Sequence, residues 1–289
     1  MNVGSVGVWS GILREPGAQT REAAAELEQL GYGAIWFPGG GPEGPADHID
    51  GLLGATHRAV IATGILSIWI HAAADVAAMH HTLTRAYPGR FLLGVGISHR
   101  PAVERAGVSY DRPLQKLASY LDELDSAPTP VPVEERILAS LGPRSLALAR
   151  ERSAGTHPYF VPLEHTRIAR QTIGPGKMVA PEQMVAMEAD AERARAIARL
   201  SISFYLRAPN YTNNLLKLGF SDADFANGGS DRLVDAIVAW GDPGSVARRI
   251  RDQQAAGASH VCVQILTDPP RDYAQSMSGW RTLARELGG

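Results

Sequence analysis

The segment from residue 61 to residue 99 decides the fold, because it contains two apolar runs, IATGILSIW at 61–69 and RFLLGVGISH at 90–99. A helical pattern over residues 75–87 separates them, which gives the order strand, helix, strand. Apolar strands that alternate with helices form parallel sheets, and α/β enzymes of this kind bind their ligands at the carboxyl ends of the strands. Gly64 lies inside the first run, where glycine indicates a bulge or a close backbone approach. The sequence therefore predicts a ligand site where these two strands end.

Further strand candidates extend this pattern over the whole chain, and most of them precede an amphipathic helix. The eight candidates are residues 6–9, 34–37, 61–69, 90–99, 136–140, 156–160, 178–187 and 261–267. Eight parallel strands, each followed by a helix, form a (β/α)8 barrel, for which about 250 residues is typical. We therefore predict an α/β fold, a (β/α)8 TIM barrel, as a single domain over residues 1–289.

Local signals mark several helix ends. Gly31 follows the helical pattern of residues 20–30, as expected of a glycine that ends a helix. Asp75 is the predicted N-cap of the helix between the two runs quoted above. Asp242 and Pro243 are the predicted cap and first turn of a later helix.

Residues 209–241 form an additional segment before the eighth strand candidate. They carry weak helical patterns, the aromatic residues Tyr211, Phe220 and Phe225, and the flexible run 227–229. Insertions in barrels often cover the mouth of the site, so we interpret this one as a lid or a substrate wall. A contact surface between copies of the chain is the alternative, and the sequence does not separate the two.

Composition excludes several classes of protein. A formal net charge of −2 provides no basic surface for nucleic acid or an anionic membrane. The single cysteine, Cys262, lies in an apolar run, so we expect a buried thiol and no disulfide within the chain. No signal peptide pattern is present, which favours a cytoplasmic location. We expect a small-molecule substrate and, at most, a second copy of the chain in a homodimer.

Metal and dinucleotide patterns are missing from the sequence. His80 and His81 do not have the spacing of a zinc-binding helix, and no Cys/His cluster exists. The run GVG at 94–96 is too short for a dinucleotide fingerprint. We therefore predict neither a metal site nor a Rossmann unit for NAD.

Several motifs resemble those of the luciferase-like monooxygenase superfamily, whose members use flavin or deazaflavin cofactors. They are TGILS at 63–67, YPGRFLLGVG at 87–96 and GDPGSV at 241–246. Other segments are similar to the oxidoreductases that depend on coenzyme F420, namely ASLGPR at 139–144, HPYFVP at 157–162, GPG at 174–176 and APEQ at 180–183. The resemblance covers nearly the whole chain and implies a bacterial-luciferase-like barrel with an insertion before strand eight.

The resemblance implies a cofactor ring at the ends of strands three and four. A bulge with a non-proline cis peptide, which falls at Gly64-Ile65 here, backs the ring in this superfamily. Ser67, Ile97 and Ser98 match positions that contact the ring in related enzymes. His157, at the end of strand six, is counted with them as cofactor-binding. The alternative is an ordinary glycine bulge without a ligand.

The turn after strand five is the candidate site for the cofactor phosphate. Leu141, Gly142, Arg144 and Ser145 resemble the turn that holds the phosphate-bearing tail. Free N–H groups at a helix start, with Pro143 in the first turn and an arginine beside it, attract a phosphate whatever the family. A helix cap with a solvated arginine is the alternative.

His99 is the candidate catalytic residue. Relatives that oxidise sugar phosphates carry a glutamate for acid–base chemistry at this place. An imidazole that titrates near neutrality can transfer the proton that accompanies hydride transfer. A loop histidine without a catalytic role is the alternative.

The predicted substrate pocket combines Gly39, Gly40, Trp69, His71 and Tyr159. Relatives often carry an acidic residue or an aspartate–histidine pair after strand two, whereas this chain has FPGGGP at 37–42. Sugar-phosphate dehydrogenation of the known kind is therefore not expected. The glycines either make room for a bulky substrate or reflect a loss of catalysis.

The resemblance implies an F420-dependent oxidoreductase that moves a hydride between the deazaflavin and an organic substrate. An FMN-dependent monooxygenase that uses reduced flavin and O2 is the alternative, because the two cofactors share a tricyclic ring and a phosphate on the same side chain. A non-catalytic protein that binds F420 or flavin is a third hypothesis, suggested by the missing acid–base pair.

Overall fold

The computed structural model describes residues 1–39 and 45–288. Its strands are β1 (Val6–Trp9), β2 (Ala34–Phe37), β3 (Val60–Thr63), β4 (Leu66–Ser67), β5 (Phe91–Gly96), β6 (Arg136–Leu138), β7 (Gly155–Thr156), β8 (Met178–Val179), β9 (Glu182–Ala186), β10 (Val238–Trp240) and β11 (Val261–Ile265). Its α-helices are α1 (Ala18–Gln29), α2 (Ala46–Ala55), α3 (Ala73–Ala86), α4 (Arg100–Arg105), α5 (Pro113–Ser126), α6 (Pro143–Arg152), α7 (Leu163–Ile173), α8 (Ala191–Ile202), α9 (Pro209–Lys217), α10 (Asp222–Phe225), α11 (Asp231–Ile237), α12 (Pro243–Ala255) and α13 (Tyr273–Gly288).

The strands form one parallel sheet that closes into a barrel. Their order is β10-β9-β11-β1-β2-β3-β5-β6-β7-β8, with β4 also paired to β5. The ring closes because β8 and β9 are two parts of one strand interrupted at Ala180 and Pro181. The N–H of Ala180 donates to Thr156 O on one side, and that of Cys262 donates to Pro181 O on the other, both at 2.9 Å. The predicted (β/α)8 barrel is therefore confirmed, with β8–β9 as its seventh strand and β11 as its eighth.

Three strand predictions need correction. The third candidate is two short strands, β3 and β4, separated by the cis peptide Gly64-Ile65, so the expected bulge is present. The sixth ends at Thr156, well before Phe160, whose φ of 58° is incompatible with an extended strand. The strand β10 was missed inside residues 209–241; three residues directly after α11 are too few to show a strand period.

Two of the predicted helix ends are confirmed and one is wrong. Gly31 follows α1 with a φ of 94°. Asp242 caps α12, where its carboxylate accepts from Ser245 N at 2.7 Å. Asp75 lies in the first turn of α3 instead of capping it, because the helix begins at Ala73.

Side chains fill the barrel interior below its mouth. Trp36 is fully buried there, and its Nε1 donates to Nε2 of His260 at 3.0 Å. Cys262 is fully buried as well, and burial raises the pKa of its thiol well above the ordinary value. The expectation of a buried, unreactive thiol agrees with this position. No helix in the described ranges 1–39 and 45–288 is long and apolar enough to cross a membrane.

Candidate active site

A cavity of about 550 Å³ opens at the carboxyl ends of the strands, a volume within the range of roughly 300–1,000 Å³ typical of ligand sites. The predicted residues on its wall are Gly39, Gly64, Ile65, Ser67, Ile97, Ser98, His99, Leu141, Gly142, Ser145, His157 and Tyr159. They follow strands two to six of the barrel, and the parallel sheet brings all of them to one face.

Trp69 and His71 lie beside this cavity instead of on its wall. The indole Nε1 of Trp69 donates to Ile97 O at 2.9 Å, and its ring packs against Tyr110, so it supports the end of β5 from outside. His71 is buried in the turn before α3, where its backbone N–H donates to Ser67 O at 3.1 Å. Both residues hold the wall that the substrate was predicted to touch.

One further predicted position lies elsewhere, and another is not described. Arg144 is exposed and lines a surface groove with Arg112 and Leu114, outside the cavity. Its side chain leaves the first turn of α6 on the solvent side, which the sequence could not show. Gly40 lies outside the described residues.

Gly64 forms the wall beneath the centre of the cavity. A Cβ at this position would lie 2.5 Å from Nε1 of Trp9 and 3.2 Å from Nε2 of His157. The same Nε1 donates to Gly64 O at 3.3 Å, which holds the bulge against β1. Only glycine therefore fits between these two rings.

His157 presents a hydrogen-bond acceptor to this wall. It is 1% exposed, and its Nδ1 lies 2.7 Å from Ala180 O, so Nδ1 carries the proton and Nε2 the lone pair. Within the described part of the chain, Nε2 has no hydrogen-bond partner. Burial lowers the pKa of His157 to about 4, which keeps the ring neutral at pH 7. A buried acceptor without a partner is the complement of a ligand N–H group.

His99 lies on the cavity wall with an oriented imidazole. Its Nδ1 is 3.3 Å from Oδ1 of Asn210, which favours the tautomer that donates from Nδ1 and keeps the lone pair on Nε2. Burial lowers the pKa of His99 below its ordinary value, and the Asn210 hydrogen bond opposes this effect. The ring is therefore a neutral proton acceptor near pH 7, positioned against Tyr211.

Asn210 and Tyr211 belong to α9, in the segment that the sequence analysis interpreted as a lid, yet neither was predicted as a site residue. Both line the cavity. A polar side chain beside an aromatic one in an insertion is a weak signal, and only the contact with His99, 111 residues away in sequence, shows what Asn210 does.

Tyr159 is the middle member of a hydrogen-bonded chain on the cavity wall. Its hydroxyl lies 2.9 Å from Oε1 of Gln264 and 2.8 Å from the hydroxyl of Tyr205. Because the amide oxygen only accepts, Tyr159 donates to Gln264 and Tyr205 donates to Tyr159. Burial raises the pKa of both tyrosines, so both hydroxyls stay neutral. Tyr205 and Gln264 are further residues that sequence reasoning missed.

The turn before α6 brings free backbone N–H groups to the mouth of the cavity. Gly142 is the N-cap and Pro143 the first residue of this helix, and the free N–H groups of its first turn have no partner within the helix. The Ser145 hydroxyl donates to Gly142 O at 2.9 Å and fixes the turn. Leu141, Gly142 and Ser145 line the cavity, so a phosphate there lies at its edge.

Negative charge is missing from the wall. None of the described residues that line the cavity is Asp or Glu. Glu182 is buried nearby in β9, where burial raises its pKa to about 8 and therefore leaves it protonated at pH 7. Over residues 1–39 and 45–288, no group of three or more His, Cys, Asp or Glu side chains is arranged to hold a metal ion.

Comparisons with known proteins agree with this geometry. A family model for luciferase-like monooxygenases matches residues 4–127. A curated relative, the 5,10-methylenetetrahydromethanopterin reductase of Archaeoglobus fulgidus, is 21% identical over 62% of this chain and 69% of its own.

Solved structures show the same barrel over the whole chain. An F420-dependent secondary alcohol dehydrogenase with an F420–acetone adduct has a TM-score of 0.70 at 14% identity, covering 98% of both chains. The coenzyme F420-dependent tetrahydromethanopterin reductase of Methanopyrus kandleri has a TM-score of 0.73 at 15% identity, covering 98% of both chains. The FMN complex of the oxygenating constituent of 3,6-diketocamphane monooxygenase from Pseudomonas putida has a TM-score of 0.72 at 15% identity, covering 99% of this chain and 98% of that one. The chain is therefore similar to luciferase-like monooxygenases over residues 4–127, and it has the same barrel fold as these enzymes over its whole length.

Proposed function

We propose that the protein is an F420-dependent oxidoreductase that transfers a hydride between the deazaflavin and a small organic substrate. The observation that carries this proposal is the pairing, on one cavity wall, of a buried acceptor at Nε2 of His157 with an anion site at the start of α6. A flat ring with an N–H edge and a phosphate-bearing tail needs both groups.

The residues present fit such a cofactor. Gly64 and Ile65 line the cavity and would back the ring, and Gly64 leaves room there for Trp9, with which a Cβ would collide. His157 would accept a hydrogen bond from the edge of the ring at its unpartnered Nε2, and the first turn of α6 would hold the phosphate. When bound, the deazaflavin supplies or receives the hydride at its central ring.

The chain's own residues handle the proton and exclude water. His99 accepts a proton at Nε2 when a substrate alcohol or amine is oxidised, and returns it in the reverse direction. Asn210 holds the imidazole in the orientation that this requires. Tyr205 and Tyr211 cover the mouth and shield the reacting atoms from solvent.

Dependence on F420 is supported by the similar fold of two F420-dependent enzymes and by the sequence motifs around residues 139–144 and 157–162. An FMN-dependent monooxygenase is the second candidate, supported by the similar fold of the FMN-bound monooxygenase. The oriented His99 on the wall argues against the third candidate, a protein that binds cofactor without turnover.

A titration with F420 and with FMN, each oxidised and reduced, tests the proposal. Trp9 lines the cavity, so the tryptophan fluorescence reports on its occupancy. We expect micromolar F420 binding and FMN binding at least about tenfold weaker, a difference of roughly 1.4 kcal/mol. The reverse preference would favour the monooxygenase, and binding of neither cofactor would contradict both.

A further inference from the structure

A side pocket of about 140 Å³ adjoins the main cavity beside β1 and β11. The two spaces share Trp9, Arg14, Pro38 and Tyr205. In the ring of strands β1 lies four strands from β6 in either direction, with β8–β9 counted as one. The side pocket therefore lies across the mouth from the anion site at the start of α6, and a second anion can occupy it without displacing a phosphate there.

Arg271 provides the first positive charge of this pocket. A Cβ at Gly11 would lie 3.3 Å from Nε of Arg271, so the glycine leaves room for the guanidinium against the backbone after β1. Within the described part of the chain, Arg271 has neither a salt bridge nor a side-chain hydrogen bond. Its charge also reaches the cavity: it partly opposes the burial that raises the pKa of Tyr205.

Arg14 provides the second charge. Its ion pair is with Glu15 at 3.7 Å, and the two side chains are 43% and 83% exposed. An ion pair this exposed contributes little free energy. Arg14 can therefore turn to a ligand at small cost.

Gln264 adds an uncharged donor. Its Oε1 accepts from Tyr159, which orients the amide and leaves Nε2 as the remaining donor in the wall. Of the described residues that line the side pocket or the main cavity, none is Asp or Glu. Two guanidinium groups and an amide thus face a small space, and the one acidic partner of these groups in the described residues is the exposed Glu15, which does not line it.

We infer that the side pocket binds an anionic group of the substrate, a carboxylate or a phosphate, between Arg14 and Arg271. Guanidinium groups bind both anions through paired charge-assisted hydrogen bonds. The remainder of the substrate then extends past Trp9 and Tyr205 into the main cavity, towards His99. The inference rests on the proposed function for the reaction, and it names the substrate class as small organic acids or phosphate esters.

The test compares three probes that share one phenyl ring: the anions benzoate and phenyl phosphate, and neutral benzamide, which matches benzoate in size. Each is titrated into the purified full chain, with tryptophan fluorescence as the readout. We expect at least one anion to bind about tenfold or more tightly than benzamide, the effect of a charge-assisted hydrogen bond. Arg271→Gln and Arg14→Gln should each lower the affinity for that anion about tenfold and leave the affinity for benzamide unchanged. Arg271→Lys should retain most of the affinity for the anion.

Two control variants separate this pocket from other anion sites. Arg285→Gln removes an exposed arginine of α13 and should leave the affinity for all three probes unchanged. Ser145→Glu adds negative charge at the start of α6, so anion binding that persists in this variant does not occur there. Equal affinity for all three probes, or unchanged anion affinity in Arg271→Gln, would overturn the inference.

The same variants separate this inference from the proposed function. Arg271→Gln should leave F420 affinity unchanged. If this variant binds F420 more weakly but binds the probes as before, the pocket holds part of the cofactor and the inference is wrong. If the probes discriminate as expected but neither F420 nor FMN binds, the anion pocket stands and the proposed function fails.

Discussion

His99 shows how single residues set the chemistry of this site. Its surroundings keep the imidazole neutral, because burial lowers the pKa and the hydrogen bond with Asn210 only partly compensates. A neutral imidazole can accept a proton, which is the role that substrate oxidation requires.

A pH profile of substrate oxidation tests this role. Since the neutral form is the active one, kcat/KM should fall as the pH drops through the lowered pKa, which lies below 6.5. His99→Asn should reduce kcat about 100-fold and remove this acidic limb. The control is Asn210→Ala: the Asn210 hydrogen bond raises the pKa, so its loss should move the limb to lower pH. Full activity of His99→Asn would show that His99 is an ordinary loop residue.

His157 allows a second prediction at this scale. His157→Phe keeps an aromatic ring against Trp36, whose ring centroid is 4.6 Å away, but removes the acceptor at Nε2. We expect F420 affinity to fall about tenfold, the value of one hydrogen bond, as measured by fluorescence titration. A far-UV circular dichroism spectrum serves as the folding control. Unchanged affinity would mean that no cofactor donor meets this nitrogen.

At the scale of elements, the start of α6 is the part of the site that depends least on any single side chain. Its free N–H groups attract an anion whether or not Arg144 is present, because that side chain points to solvent. The sequence analysis placed Arg144 among the cofactor contacts; because this side chain is exposed, we propose the backbone and Ser145 for this role instead.

Two substitutions in this turn distinguish the backbone from the arginine. Ser145→Glu places a carboxylate where the phosphate binds, at a helix position that tolerates glutamate, so we expect cofactor affinity to fall at least about tenfold without unfolding. Arg144→Ala should change the affinity less than about threefold, as a solvent-screened charge would. Isothermal titration calorimetry measures both. If Arg144→Ala lowered the cofactor affinity more than Ser145→Glu, Arg144 would be the residue that binds the phosphate.

Arg90, from the motif YPGRFLLGVG at 87–96, stabilises the loop between α2 and β3. The guanidinium of Arg90 donates to the carbonyls of Leu53, Thr56 and Ala59. From the other side, the Glu28 carboxylate accepts from the backbone N–H groups of residues 57–59 at 2.5–3.0 Å. These two side chains fix the start of β3, and therefore the position of the Gly64 bulge that follows this strand.

Glu28→Ala should therefore destabilise the fold. Removing a buried acceptor of three backbone N–H groups costs about 2–4 kcal/mol of the free energy of unfolding, measured by urea denaturation. Glu22→Ala, an exposed position of the same helix, is the matched control and should change stability by less than about 0.5 kcal/mol. A loss of similar size in both variants would mean that helix α1 itself, and not the loop contact, is sensitive.

The whole molecule has buried ionisable groups that link its stability to pH in opposite directions. Burial lowers the pKa of His157 and His260 to about 4, and raises that of Glu182 to about 8. His260 lies between Trp36 Nε1, which donates to it, and Gly4 O, so a second proton on its ring would face another N–H group. The histidines thus stabilise the fold fully above pH 6.5 and lose this contribution as the pH falls towards 4.

Glu182 has the reverse effect, because the folded state keeps a proton that the unfolded chain releases above pH 4.5. Its contribution is complete below pH 4.5 and declines as the pH rises to about 8. His80, whose pKa burial also lowers to about 4, acts in the same direction as His157 and His260. With three histidines against one glutamate, we expect these groups to place the stability maximum near pH 6.5. Urea unfolding at a series of pH values measures it.

Glu182→Gln isolates the alkaline part of this profile. The amide does not titrate, so stability should no longer decline between pH 6.5 and 8, while the acidic decline should persist. Glu192→Gln, at an exposed position of α8, should leave the profile unchanged. An alkaline decline that survives in Glu182→Gln would assign it to other groups.

The sequence by itself determined the barrel, the bulge at Gly64, the caps at Gly31 and Asp242 and the face that carries the site. Each of these follows from apolar periodicity or from residues a few positions apart, which local geometry controls. Short-range patterns also located the start of α6, because a helix start shows in the run Gly142-Pro143.

Only the tertiary structure decided which side chains line the cavity. Asn210 meets His99 across 111 residues, and Gln264 meets Tyr159 across 105. Arg144 and Trp69, which were placed correctly along the chain, point away from the wall. The physical reason is that the direction of a side chain in a loop is set by packing against distant elements, and no local pattern in the sequence encodes those contacts.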